Sequence, residues 1–178
     1  SIIQEQFRGT GATVGGVAPH EAGELRKNQI QQATLASRAL VVAASLEAAK
    51  GNILTAQDMV DRAVAAKYDP IIEETNVRIA NLELLLKDPA LSLAERNRAE
   101  AQKIRQEKLK EEQEAEKAEK KAIWDNAVDA LKVAGEIGKD VSATDVARLQ
   151  NAKTGAEGLR IRQELGLMAV AKEKKEVS

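Results

Sequence analysis

The chain has 178 residues, 31% of them charged and 43% apolar, with a net charge of −1 and charges of both signs interspersed. No field is left to attract nucleic acid or an anionic membrane surface, and the absence of cysteine excludes disulfides and thiolate chemistry. Phe7, Tyr68 and Trp124 are the only aromatic residues, too few for a thick core, so thin packing of two or three helices in an elongated all-α fold is expected.

Ser1 to Gly23 holds glycines at positions 9, 11, 15, 16 and 23 and no sustained helical period, and reads as a flexible arm. Its glycines fail the dinucleotide spacing at Val14, and no Gly-Lys-Ser/Thr follows, so no nucleotide site is expected. Ile2, Ile3 and Phe7 are candidates for anchoring the arm on a neighbouring subunit. His20 has no cluster of metal-ligand spacing around it and reads as a surface residue, and no cofactor or metal is expected anywhere. The start does not read as a signal peptide; with Ser first, a processed chain or the ordered part of something longer is expected.

Glu24 to Lys50 turns helical, with one stripe at Leu35, Ala39, Val42, Leu46 and Ala49 and another at Ile30, Ala33, Ser37, Val41, Ala44 and Ala48. Two apolar stripes predict two neighbours. Gly51 stands where a left-handed C-terminal cap belongs. A helix from about Ile53 to Tyr68 then offers Ala56, Met59, Val60, Ala63 and Val64. Asp69-Pro70 either restarts a helix or lets one kinked rod run from Ile53 to Lys87. Beyond it, Ile72, Thr75, Ile79, Leu82 and Leu86 form a heptad seam.

Asp88-Pro89 and the capping sequence Ser92-Leu93-Ala94-Glu95 open a stretch to Val133 without Gly or Pro. As a helix it would be roughly 60 Å long. The short connection requires it to return antiparallel beside the preceding helix. Its stripe is read as Leu93, Ala101, Ile104, Ala115, Ala118, Ala122 and Trp124 or Asp125, continued by Ala127, Val128 and Leu131. Between Glu107 and Lys121 the chain reads either as a packed alanine seam or as a solvated spacer, and the three-and-four spacing of Ala115, Ala118 and Ala122 favours the seam. Gly135-Glu136-Ile137-Gly138 reads as a break, followed by short helices at Ser142 to Asn151 and Gly155 to Leu165. Leu159, Ile161, Leu165, Leu167 and Met168 are expected to dock on the hairpin end or on another chain. Lys172 to Ser178 is a charged tail.

The expected division is therefore an arm at 1–23, a long antiparallel, coiled-coil-like helical hairpin with an extra N-terminal helix at 24–134, a small subdomain of short helices at 135–171, and a tail at 172–178. Gly51, Ala56 and Ala63 carry a resemblance to a single helical hairpin of the tetratricopeptide type. Pro70 comes two residues later than that family's closing proline, Leu40, Ala43 and Ala44 meet its first-helix pattern only in part, and no second copy follows at a period of about 34. The Ala/Glu/Lys/Gln-rich rods, tight turn and short terminal helices resemble phage tail tape-measure and other helical virion proteins in composition, without a diagnostic motif.

One isolated histidine, Lys-balanced carboxylates and the lack of any Glu-x-x-His pair give catalysis no foothold. The expected role is a structural or assembly protein, homo-oligomeric and acting through protein contacts. The rival is a cytoplasmic adaptor that takes a partner helix or peptide in a groove beside the hairpin. No apolar run approaches the ~18 to 20 residues of a membrane span, and cytoplasmic and virion settings both fit.

Overall fold

The structure is a computed structural model and describes residues 17 to 169. Among these the regular elements are all helices: α1 (Val17–Ala49), α2 (Ile53–Leu86), α3 (Leu93–Ile137), α4 (Ala143–Gln150) and α5 (Gly155–Glu164). The arm's anchors Ile2, Ile3 and Phe7 and the tail 172–178 lie outside the described residues. By contact the chain divides at Ala36 into two units.

In the N-terminal unit the helix starts at Val17, ahead of the expected Glu24. Pro19 falls in the first turn, where its missing N–H breaks no bond. Leu25, Ile30 and Leu35 are exposed, and the Thr34 hydroxyl donates back to the Ile30 carbonyl at 2.9 Å.

In the second unit the remainder of α1 buries Ser37, Val41, Ala44 and Ala48, one of its two stripes, in the core shared with α2 and α3. Small residues let the helices approach closely. Ala56 and Ala63 of α2 are fully buried, and the Ser37 hydroxyl donates to the Ala63 carbonyl at 2.8 Å, which satisfies it away from water. Gly51 has φ 90°, the left-handed geometry its capping place requires. The second α1 stripe, Ala39, Val42, Leu46 and Ala49, stays exposed.

Of the two readings at Pro70, the continuous rod is the one observed: α2 runs unbroken from Ile53 to Leu86 with Pro70 inside it. A proline there cannot bond the carbonyl one turn back, and packing of α2 along α3 offsets the loss. Ser92 and Glu95 form the reciprocal capping box at the start of α3, at 3.1 and 3.0 Å. The end of α3 is displaced from expectation. Gly135 lies within the helix, and the left-handed cap is Gly138 with φ 71°, where Lys139 N–H bonds the Ala134 carbonyl at 2.8 Å.

The face that α3 turns to α2 differs from the alanine stripe. Ala115, Ala118 and Ala122 are exposed, as are Leu93, Ala101 and Ile104. The inward face runs through half-buried Lys103, Gln106, Lys110, Gln113, Lys117 and Lys120, with half-buried Leu109 beside it, and continues into buried Trp124, Ala127, Leu131 and Ala134. This is a strict three-and-four repeat, so the strong apolar end of α3 sets the phase of the whole helix. Against it stand buried Thr75 and half-buried Ile79, Leu82 and Leu86 of α2. The α2 side of this contact is thus largely apolar, and the α3 side is mostly polar.

α4 and α5 dock on the C-terminal half of α3. Leu149, Ala152, Ile161 and Leu167 are buried there, whereas Leu159 and Met168 remain exposed. Ser142 and Thr154 cap the two helices by accepting from the amides of Asp145 and Glu157.

Candidate interaction surfaces

The two helices of the hairpin are tied across by polar contacts along its length. Lys121 pairs with Asp61 at 2.9 Å, Lys117 with Asp69 at 2.7 Å and Lys103 with Glu83 at 3.5 Å. The Thr75 hydroxyl lies 2.9 Å from Gln113 Oε1. Exposed pairs of this kind contribute only ~0–1 kcal/mol each. They choose the register more than they supply stability. Hydrogen bonds to Asp125 and Asp61 push the Lys121 ammonium pKa up. Burial, then the nearby Lys120 charge, push that of Lys67 down; burial, then the Glu116 charge, push the Tyr68 phenol up. Gln106 Oε1 is enclosed with no hydrogen-bond partner.

Trp124 is the junction of the packed end. The residue is 8% exposed, Lys120 Nζ lies 5.7 Å from its ring centre, and its indole N–H donates to the Gln150 carbonyl at 3.2 Å. The Gln150 amide in turn reaches the Val41 carbonyl and Ser45 hydroxyl of α1. One tryptophan thereby fixes α4 between α1 and α3. At the opposite side of this end, buried Arg162 donates to the Leu167 carbonyl at 2.8 Å and to Asn126 Oδ1 at 3.2 Å. Gly158 permits that approach, since a Cβ there would stand 3.1 Å from Asn126 Nδ2.

Of the seam residues read from the sequence, Ile79, Leu82 and Leu86 are half-buried along the hairpin, and Ile72 is half-buried beside a shallow groove that it shares with Leu40 and Pro70. Trp124 is buried at the junction, and Ala115, Ala118 and Ala122 lie on the outer face of α3. The inward repeat was present in the sequence by counting back from Trp124, but its lysines and glutamines carry no apolar signal.

Among the described residues of this unit, two further apolar surfaces are uncovered enough to take a partner. The first is a groove of about 750 Å³ between α1, the end of α3 and α4. Val42 and Leu46 form one wall, Leu131 and Ala134 the floor, and Val141 and Val146 the far wall. The second is the outer stripe of α3, where Leu93 is 74% and Ile104 65% exposed, followed by Ala115, Ala118 and Ala122. Among the described residues no His/Cys/Asp/Glu group is placed to hold a metal ion, and no helix is long and apolar enough to cross a membrane.

No protein-family model, curated protein or solved structure matches the chain.

Proposed function

We propose that this chain is a structural, assembly protein whose helical hairpin makes protein–protein contacts in a multi-subunit array of the virion or phage-tail kind, with further copies of itself among its partners. The observation that carries the reading is the outer stripe of α3. Large apolar side chains at Leu93 and Ile104, prolonged by three alanines, are left in water on a helix whose other face is already partnered. A helix with a second apolar stripe serves a second neighbour.

A second reading, a helical adaptor, is favoured by the groove lined by Val42, Leu46, Leu131 and Val146, which suits the apolar face of a partner helix. Light scattering coupled to size exclusion separates the two. An assembly component gives a mass above one chain and grows with concentration. A strictly monomeric chain at high concentration would sink the assembly reading and favour the adaptor.

A further inference from the structure

Resting on the assembly reading, we propose that the outer stripe of α3 is an isologous interface, in which two copies pair antiparallel about a two-fold axis at Ile104. Steps of four, seven and eleven residues return to the same helix face, so the residues facing a partner are fixed by counting outward from Ile104. Four residues away lie Glu100 on one side and Lys108 on the other; seven away, Asn97 and Glu111; eleven away, Leu93 and Ala115. An antiparallel two-fold sets each against its counterpart in the second copy. Ile104 meets Ile104 of the second copy, Glu100 meets Lys108, the Asn97 amide meets the Glu111 carboxylate, and Leu93 meets Ala115. Each contact other than the central one occurs twice.

Three observations support this arrangement. The stripe is exposed along its whole length, a third of a turn from the seam with α2. Among the described residues neither Glu100, Lys108 nor Glu111 has an ion-pair partner within the chain, so the complementary charges are available to a second copy. The spacing along this unit also fits. The packed end of this unit begins where the Gly155 amide donates to the Glu119 carboxylate at 2.6 Å, as far along α3 from Ile104 as the turn at Pro89 is in the other direction. Each turn would therefore arrive at the edge of the other copy's packed end without overlapping it. The pairing runs over roughly 33 Å of helix.

Sedimentation equilibrium of the full chain and its variants tests the pairing, with circular dichroism as the folding control. Ile104→Glu places two like charges at the axis and should weaken dimerisation by about tenfold or more without loss of helicity. Glu100→Lys and Lys108→Glu should each weaken it, and the double exchange should restore it, because each site faces the other. Since the chain has no cysteine, Ile104→Cys should oxidise readily to a disulfide-linked dimer, whereas Ala118→Cys, far from its own counterpart, should not. An oligomer unaffected by Ile104→Glu, or a charge exchange that fails to rescue, would overturn this interface and leave the assembly reading standing. A wild-type chain that is monomeric would overturn both. If Ile104→Glu were to unfold, the charge exchange and cysteine pair decide the matter by themselves.

Discussion

Replacing Gln106 by Leu should stabilise the hairpin, although it removes a polar residue from a largely polar segment. Gln106 Oε1 is shut off from water with no donor in reach, and an unsatisfied buried acceptor costs about 1–3 kcal/mol. Leu has nearly the same volume and would lie in the crevice that Gln106 shares with Leu82, Arg78 and Asn81. The side chain as a whole is only half-buried, so its apolar contribution adds no more than ~1 kcal/mol. The expected net gain is about 1–3 kcal/mol, each kcal/mol moving the melting midpoint by ~2–4 °C in a chain of this size. Thermal and urea unfolding of dilute protein should both report it, the urea midpoint rising with an unchanged slope. Ala118→Glu is the matching control. On the exposed outer face it should stay within about ±0.5 kcal/mol, whereas in a packed alanine seam an added buried charge would cost ~1–3 kcal/mol. A less stable Gln106→Leu protein together with a strongly destabilised Ala118→Glu protein would refute the observed phase of α3.

Trp124→Phe keeps most of the ring burial but strips the donor from the Gln150 carbonyl, and chemical denaturation should show a loss of about 1–3 kcal/mol; no change would mean that Trp124 does not hold α4 in place. Gly138→Ala forces an alanine into a left-handed conformation at φ 71° and should cost about 1–2 kcal/mol in a thermal melt, while the same change at helical Gly135 should be neutral or stabilising. The reverse order would return the end of α3 to Gly135. The Glu95 carboxyl is held below its usual value of 4.5, first by the Ser92 amide and then by the Ser92 side chain. A carboxylate with a lowered folded pKa adds stability that is complete above the unfolded value and is lost as pH falls from 4.5 through the lowered one. Glu95→Ala removes the carboxylate that both Ser92 groups hold, and should therefore lower the melting midpoint at neutral pH and flatten its decline in that acid window; an unaltered acid limb would show that the Glu95 half of the capping box does not persist in solution.

Much of the backbone was determined by the sequence itself, because helix ends are local chemistry. Ser92 with Glu95, Ser142 with Asp145 and Gly51 stood at their caps in the sequence, and each cap is satisfied within a few residues of itself. The antiparallel course of α2 and α3 follows as directly from the short turn around Pro89. Whether Pro70 interrupts α2 was not a local matter, since a proline-bearing helix survives only where its neighbours compensate it. Tertiary structure also decided which side of α3 faces inward. From Lys103 to Lys120 each side of the helix has a single large apolar residue, Ile104 on the outer stripe and Leu109 beside the inner one, among small or polar residues, so their difference in burial free energy is small, and the packed end at Trp124, Ala127 and Leu131 imposes its phase through a rigid helix. Once that phase is set, Ile104 and the alanines that looked like core point outward. The groove at Val42, Leu46 and Val146 is likewise a product of the tertiary structure, because its walls are separated by about a hundred residues and meet only when Gln150 bonds to α1.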